Sequence, residues 1–201
     1  ASMLLVYHKT KIDLTNILPI LHCCGLHIID ELTSRFGNKD NHIGYIHAFR
    51  VLSNTNQKID EKIIKNRLIN SLLDIFSHKL PNDPLNQLII HSELESHHIL
   101  VLQGIRNYAY QLFQHQFSKK QLNDCLIKYT EITAQFMTLF DTKFNASLST
   151  KNRTATIQKI YATLDTQISY AETVIDDQIL TRIMSVFRAC VRTNAFIKKD
   201  H

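Results

Sequence analysis

Apolar positions follow two regimes along this chain, and the change between them lies near residue 58. Before it, the elements are short. Residues 3–9 (MLLVYHK) are a run of large and β-branched side chains, which predicts a strand. Leu14, Ile17, Leu18, Leu21 and Cys24 then recur at helical spacing. Asp13 or Asn16 would cap that helix. With Asn16 as the cap, Pro19 falls in the first turn, where a missing N–H costs little. Gly25 is the residue type that ends helices in a left-handed conformation. Residues 26–36 (LHIIDELTSRF) predict a second strand and residues 37–41 (GNKDN) a turn. Residues 42–52 (HIGYIHAFRVL) predict a third strand. It places Ile43, Tyr45, His47 and Phe49 on one face and Ile46, Ala48 and Arg50 on the other.

From Lys58 the period lengthens. Ile59, Ile63, Ile64, Leu68, Leu72, Leu73 and Phe76 form one stripe of a long amphipathic helix. The β-α-β-β-α order predicts a largely antiparallel sheet with helices on one face. Pro81 and Pro84 mark a boundary, and nothing beyond them reads as a strand. A short helix is expected from Pro84, capped by Asp83, and a long one over residues 94–115. Others start at Ser118 and at Thr130, the latter acting as its own cap. Two more cover residues 149–174 and 176–199. The predicted class is therefore α+β: a βαββα sandwich over residues 1–82, followed by an all-α helical bundle over residues 83–201.

Composition narrows function more than fold. Only 4 Gly and 3 Pro occur in 201 residues, too few for the turns of an all-β sandwich. The net charge of +5 is scattered, and its densest spots are the pairs Lys119-Lys120 and Lys198-Lys199. That reads as a solvated face, so no nucleic-acid partner is expected. No apolar run approaches the roughly 18 residues of a membrane span, and the start ASMLLVYHKT lacks the basic opening of a secretory leader. Ala1-Ser2 ahead of Met3 reads as a cloning remnant, as expected of a piece of a longer chain. Cys23, Cys24, Cys125 and Cys190 form no disulfide or zinc pattern, which fits a cytoplasmic location.

Two clusters invite a chemical reading. Cys23-Cys24 could form a strained disulfide or grip a soft metal. Adjacent helix positions point about 100° apart, however, and Cys24 at a core position behaves as a small hydrophobe. In residues 91–98 (HSELESHH), His91 with Glu95 and Glu93 with His97 have i,i+4 spacing on a continuous helix. The segment joins two helices, and it reads as a polar junction. Four glycines leave no phosphate loop, dinucleotide fingerprint or nucleophile elbow. Glu93, Glu95, Asp176 and Asp177 read as junction and cap residues. Tyr108, Tyr110, Phe113 and Phe117 read as helix core. No catalytic, cofactor-binding or metal-ligating residue is expected.

Several segments together resemble the large bacterial NAD-specific glutamate dehydrogenases. Leu14, Leu18, Pro19, Leu21, Gly25, Leu26, Ile29, Asp30 and Glu31 match a family segment, and Ile46, His47 and Phe49 match its next strand. Val101, Leu102, Tyr108, Gln111, Phe117, Ser118, Leu139, Phe140 and Phe144 match a helical stretch. Arg192, Thr193, Asn194 and Phe196 match its close, with Ala195 in place of an aromatic. The resemblance implies an ACT-like domain and a helical motif that precede the catalytic domain of a longer enzyme. NAD and the glutamate-binding residues would belong to that other domain, and this segment would carry no cofactor. Its implied partners are the other domains of the parent chain, the copies of a homo-oligomer, and an amino-acid effector. Such an effector would sit at the turn after the first strand, at Thr10, Lys11 and Asp13. That turn lacks the usual ligand-loop glycine, so an effector site and a purely architectural ACT fold both stay open. A final ACT strand is not evident: residues 87–92 (QLIIHS) could supply one but read as helix.

Overall fold

A computed structural model of the chain describes residues 2–38, 41–54, 61–145 and 153–196. The centre of the 37–41 turn, Ile59, residues 149–152 and Lys198-Lys199 lie outside the described residues, as do the side chains of Ile43 and Ile63. The chain divides into two compact units, Ala1–His91 and Ser92–His201. Contacts thus group residues 83–91 with the first unit, whereas the prolines punctuate the sequence at residue 82.

The first unit runs β1 (Ser2–His8), α1 (Leu14–Cys23), β2 (Leu26–Asn38), β3 (Asn41–Ser53) and α2 (Glu61–Phe76). Its sheet is antiparallel in the order β1-β3-β2. A 3-10 turn over Pro84–Gln87 and the short α3 (Leu88–His91) follow, so the QLIIHS segment is helical up to His91. Asp13 is the cap of α1, with its side chain accepting from the Thr15 N–H at 3.0 Å. Pro19 therefore lies inside the helix, and the Asn16 alternative falls away. Gly25 takes φ +76° just past the C-cap, where its N–H bonds the His22 carbonyl.

A bulge at Ile29 sets the faces of β2. The register jumps from Ile28↔Val51 to Asp30↔Arg50. The extra residue switches the alternation, so Glu31 and Thr33 join His47, Phe49 and Val51 on the inner face. Thr33 and Glu31 both reach His47 Nδ1, at 2.9 and 3.0 Å, while Nε2 is buried without a hydrogen-bond partner among the described residues. Gly44 is required by close approach: a Cβ there would lie 2.6 Å from the Tyr7 ring and 2.9 Å from the His8 carbonyl. Ile17, Leu21, Cys24 and Leu26 close the core against this face.

In α2 the buried positions are Ile64, Ser71, Leu72 and Ile75, while Leu73 is 61% exposed and Phe76 is only partly covered. The predicted stripe was thus rotated toward one flank. A wide apolar arc does not say which edge its neighbour will cover. Here α3 helps decide, since the Arg67 Nε donates to the Ile89 carbonyl at 2.8 Å.

The regular elements described in the second unit are all helices: α4 (Ser96–Phe113), α5 (Lys119–Lys128), α6 (Thr130–Phe144), α7 (Arg153–Ile168) and α8 (Val174–Ala189). Ser118 caps α5 reciprocally with Gln121. Thr130 is the first helical residue of α6 rather than its cap, because its hydroxyl donates back to the Ile127 carbonyl. Thr173 caps α8, so that helix begins ahead of Asp176, and it ends well short of residue 199. The core seam of α4 is Ile99, Leu102, Gln103, Arg106 and Ala109. Of the predicted aromatic run only Phe117 is buried. Tyr108 is exposed, and Phe113 lies 5.2 Å beneath the Arg182 guanidinium.

Candidate functional site: a cleft beside the first strand

The edge of β1, the β1–α1 turn and α2 enclose a cleft of about 820 Å³. Leu4 and Val6 line it from the strand, and Ile69, Leu72, Leu73 and Phe76 from α2. Five consecutive β1 residues border it. In a strand successive side chains alternate faces, so the cleft follows the unpaired edge of β1 rather than one face.

Its polar end is built by the turn. Thr10, Lys11 and Asp13, the three residues expected at an effector site, all border the cleft, together with His8, Asn16 and His78. The Thr10 N–H donates to His8 Nδ1 at 3.2 Å and its hydroxyl lies 2.9 Å away. The same Nδ1 lies 2.9 Å from the Thr10 carbonyl oxygen, so one ring atom ties His8 to the turn. The Asp13 pKa is held below its ordinary value by its bonds to Thr15, aided by the charge of Lys11. Asp13 is therefore an anion at neutral pH, with one oxygen committed to the cap. His78 takes φ +58° at the left-handed end of α2. Its N–H bonds Ile75 and the Lys79 N–H bonds Asp74, a Schellman closure that usually uses glycine.

The other sequence candidates are placed as follows. Cys24 is fully buried and its thiol is pushed up to about 12 by burial. Cys23 is raised in the same direction, first by burial and then by Asp83. Both are free thiols with little thiolate at neutral pH. The i,i+4 pairs of residues 91–98 do not form, because residues 92–95 are not helical and α4 starts only at Ser96. His91 instead bonds Asn54 Oδ1 at 3.1 Å. His97 and His98 fall in the first turn of α4, where the His98 Nε2 meets Asp141 Oδ2 of α6 at 2.9 Å. Sequence reading missed Asp141, since 43 residues separate it from His98 and only the packing of α4 near the end of α6 brings them together. Asp176 accepts from Lys128 Nζ at 2.9 Å and from the Tyr129 hydroxyl at 3.1 Å, tying the end of α5 to the start of α8.

Residues 2–64 match the family model of the glutamate dehydrogenase ACT3 domain, and residues 80–146 that of glutamate dehydrogenase helical motif 3. The NAD-specific glutamate dehydrogenase of Halomonas elongata is 24% identical over 199 residues, covering 99% of this chain and 12% of that protein. The protein of the same name from Pseudomonas aeruginosa is 24% identical over 194 residues, covering 95% of this chain and 12% of its own length. The chain thus spans about an eighth of the curated relatives it matches. It belongs to the large NAD-specific glutamate dehydrogenases, as a segment holding the ACT3 domain and helical motif 3.

Proposed function

We propose that this chain is a non-catalytic structural and regulatory part of a cytoplasmic NAD-dependent glutamate dehydrogenase. In the parent, L-glutamate is oxidised to 2-oxoglutarate and ammonium while hydride passes to NAD. The chain positions the domain that carries out this reaction and contributes to contacts within a homo-oligomer. The observation that carries this reading is the outer face of the sheet. Met3, Leu5, Tyr7 and Leu32 are each more than half exposed there. An apolar face of that kind marks a surface that another domain or subunit covers. The chain on its own, given glutamate and NAD, should produce no NADH fluorescence above the blank. Measurable turnover by the pure chain would overturn the reading.

The cleft favours a second reading, an amino-acid-binding regulatory module. Lys11 supplies a cation for a carboxylate, the uncommitted oxygen of Asp13 an acceptor for an ammonium, and the α2 wall an apolar lining. Calorimetric titration with the common amino acids separates the two. A saturable heat that Lys11→Ala removes supports effector binding, and none with any amino acid supports a scaffold.

A further inference from the structure

We infer that the meeting point of α4 and α6 is a binding site for a divalent transition-metal ion of the zinc class, with His97, His98 and Asp141 as its ligands. One donor atom from each of the three residues lies within 4.8 Å of the others. Two imidazoles and a carboxylate suit zinc and its neighbours in the first transition row. The remaining position is open to water or to Glu95, whose Oε2 lies 3.5 Å from His97 Nδ1.

A plain His–Asp hydrogen bond explains part of this arrangement, and two observations go beyond it. Asp141 Oδ1 is buried and has no hydrogen-bond partner among the described residues. A desolvated, unpaired carboxylate oxygen is unfavourable, and a cation at that oxygen would satisfy it. The second observation is the neighbouring ring. Adjacent helical side chains normally diverge, yet the His97 and His98 ring centroids lie only 3.8 Å apart at a 40° tilt. The fields oppose each other. The first turn of α4 is the positive end of a helix, and the last turn of α6, which holds Asp141, is the negative end of another. The full charge of the carboxylate tips the balance toward a cation.

Metal binding would also rearrange a cap. The Glu95 N–H donates to His98 Nδ1 at 3.2 Å, so Nε2 carries the proton and donates to Asp141. With metal on Nε2, the proton passes to Nδ1, the ring stays neutral, and the Glu95 N–H gives up its acceptor. The ion is thereby coupled to the start of α4.

The test is calorimetric titration of the chelator-treated 201-residue chain with Zn²⁺, and with Co²⁺ followed by visible absorption. One saturable equivalent is expected, with a nitrogen–oxygen cobalt spectrum free of thiolate charge transfer. His97→Ala and Asp141→Asn should each weaken binding by roughly tenfold or more. His97 is 57% exposed, so its substitution leaves the packing in place. Absence of a saturable equivalent, binding undiminished in both variants, or a thiolate band would each overturn the proposal.

Discussion

Phe136→Ala should lower the unfolding free energy of the helical unit by about 3–5 kcal/mol, the largest loss expected from one substitution in this chain. Phe136 is fully buried in α6, and its ring stacks on Phe187 of α8 at 5.1 Å and 11°. Truncation removes the transfer free energy of the ring and leaves a void, because the flanking Met137, Leu139 and Phe140 are themselves packed. Total stabilities of domains are commonly about 5–15 kcal/mol, so the variant would sit near its folding limit at physiological temperature. Urea unfolding followed by far-UV circular dichroism should show a lower midpoint with an unchanged slope. Leu112→Ala is the internal control. That residue is half exposed, and its loss should stay within about 0.5 kcal/mol. Equal midpoints for the two variants would mean that the α6–α8 stack is not the centre of this unit.

The contrast between Phe136 and Leu112 illustrates what the sequence made legible. Periodicity located the helices, because each must bury a stripe. The caps at Asp83 and Ser118 were readable because their side chains act within three residues, whereas Asp13 was one of two candidates that only the structure separated from Asn16. Residues at the margins of a stripe were not readable. Leu73 and Tyr108 share the periodicity of their buried neighbours yet face outward, since burial there depends on a partner element distant in sequence. The bulge at Ile29 was equally invisible, although it decides which side of β2 faces inward. Of the cleft, the turn at Thr10, Lys11 and Asp13 was anticipated through family resemblance, whereas its α2 wall was not. The pairing of His98 with Asp141 had no local signal at all. The i,i+4 spacings that did stand out in residues 91–98 failed because they presumed a helix that begins only at Ser96.

Asp176 is the second position where a large effect is expected, and its effect depends on pH. Its side chain is 16% exposed and receives the Lys128 ammonium and the Tyr129 hydroxyl, while the Tyr129 oxygen accepts from the Glu172 N–H at 2.8 Å. Asp176→Ala removes both bonds to a charged acceptor and leaves the Tyr129 hydroxyl without its own, a loss of about 2–3 kcal/mol at pH 7. Burial pushes the Asp176 carboxyl up, but the bonds from Lys128, Thr173 and Tyr129 outweigh it and hold the carboxyl below its ordinary value of 3.8. A carboxyl that is more acidic folded than unfolded adds stability above its unfolded value. That stability is lost as pH falls through the folded one. The contribution should therefore be complete at pH 5 and above, and drain away below about pH 4. Lys128 stays charged throughout this window, since its bonds to Glu172 and Asp176 raise it above the ordinary lysine value. The carboxylate is thus the member of the pair that titrates. Asp176→Asn keeps an acceptor for Tyr129 and removes the charge. Its urea midpoint should be lower than the parent's at pH 7, and the gap should close as the acid limit is approached. A gap that stays constant from pH 7 to pH 3 would show that the Lys128–Asp176 charge pair adds nothing to folding and that only the shape of the side chain counts.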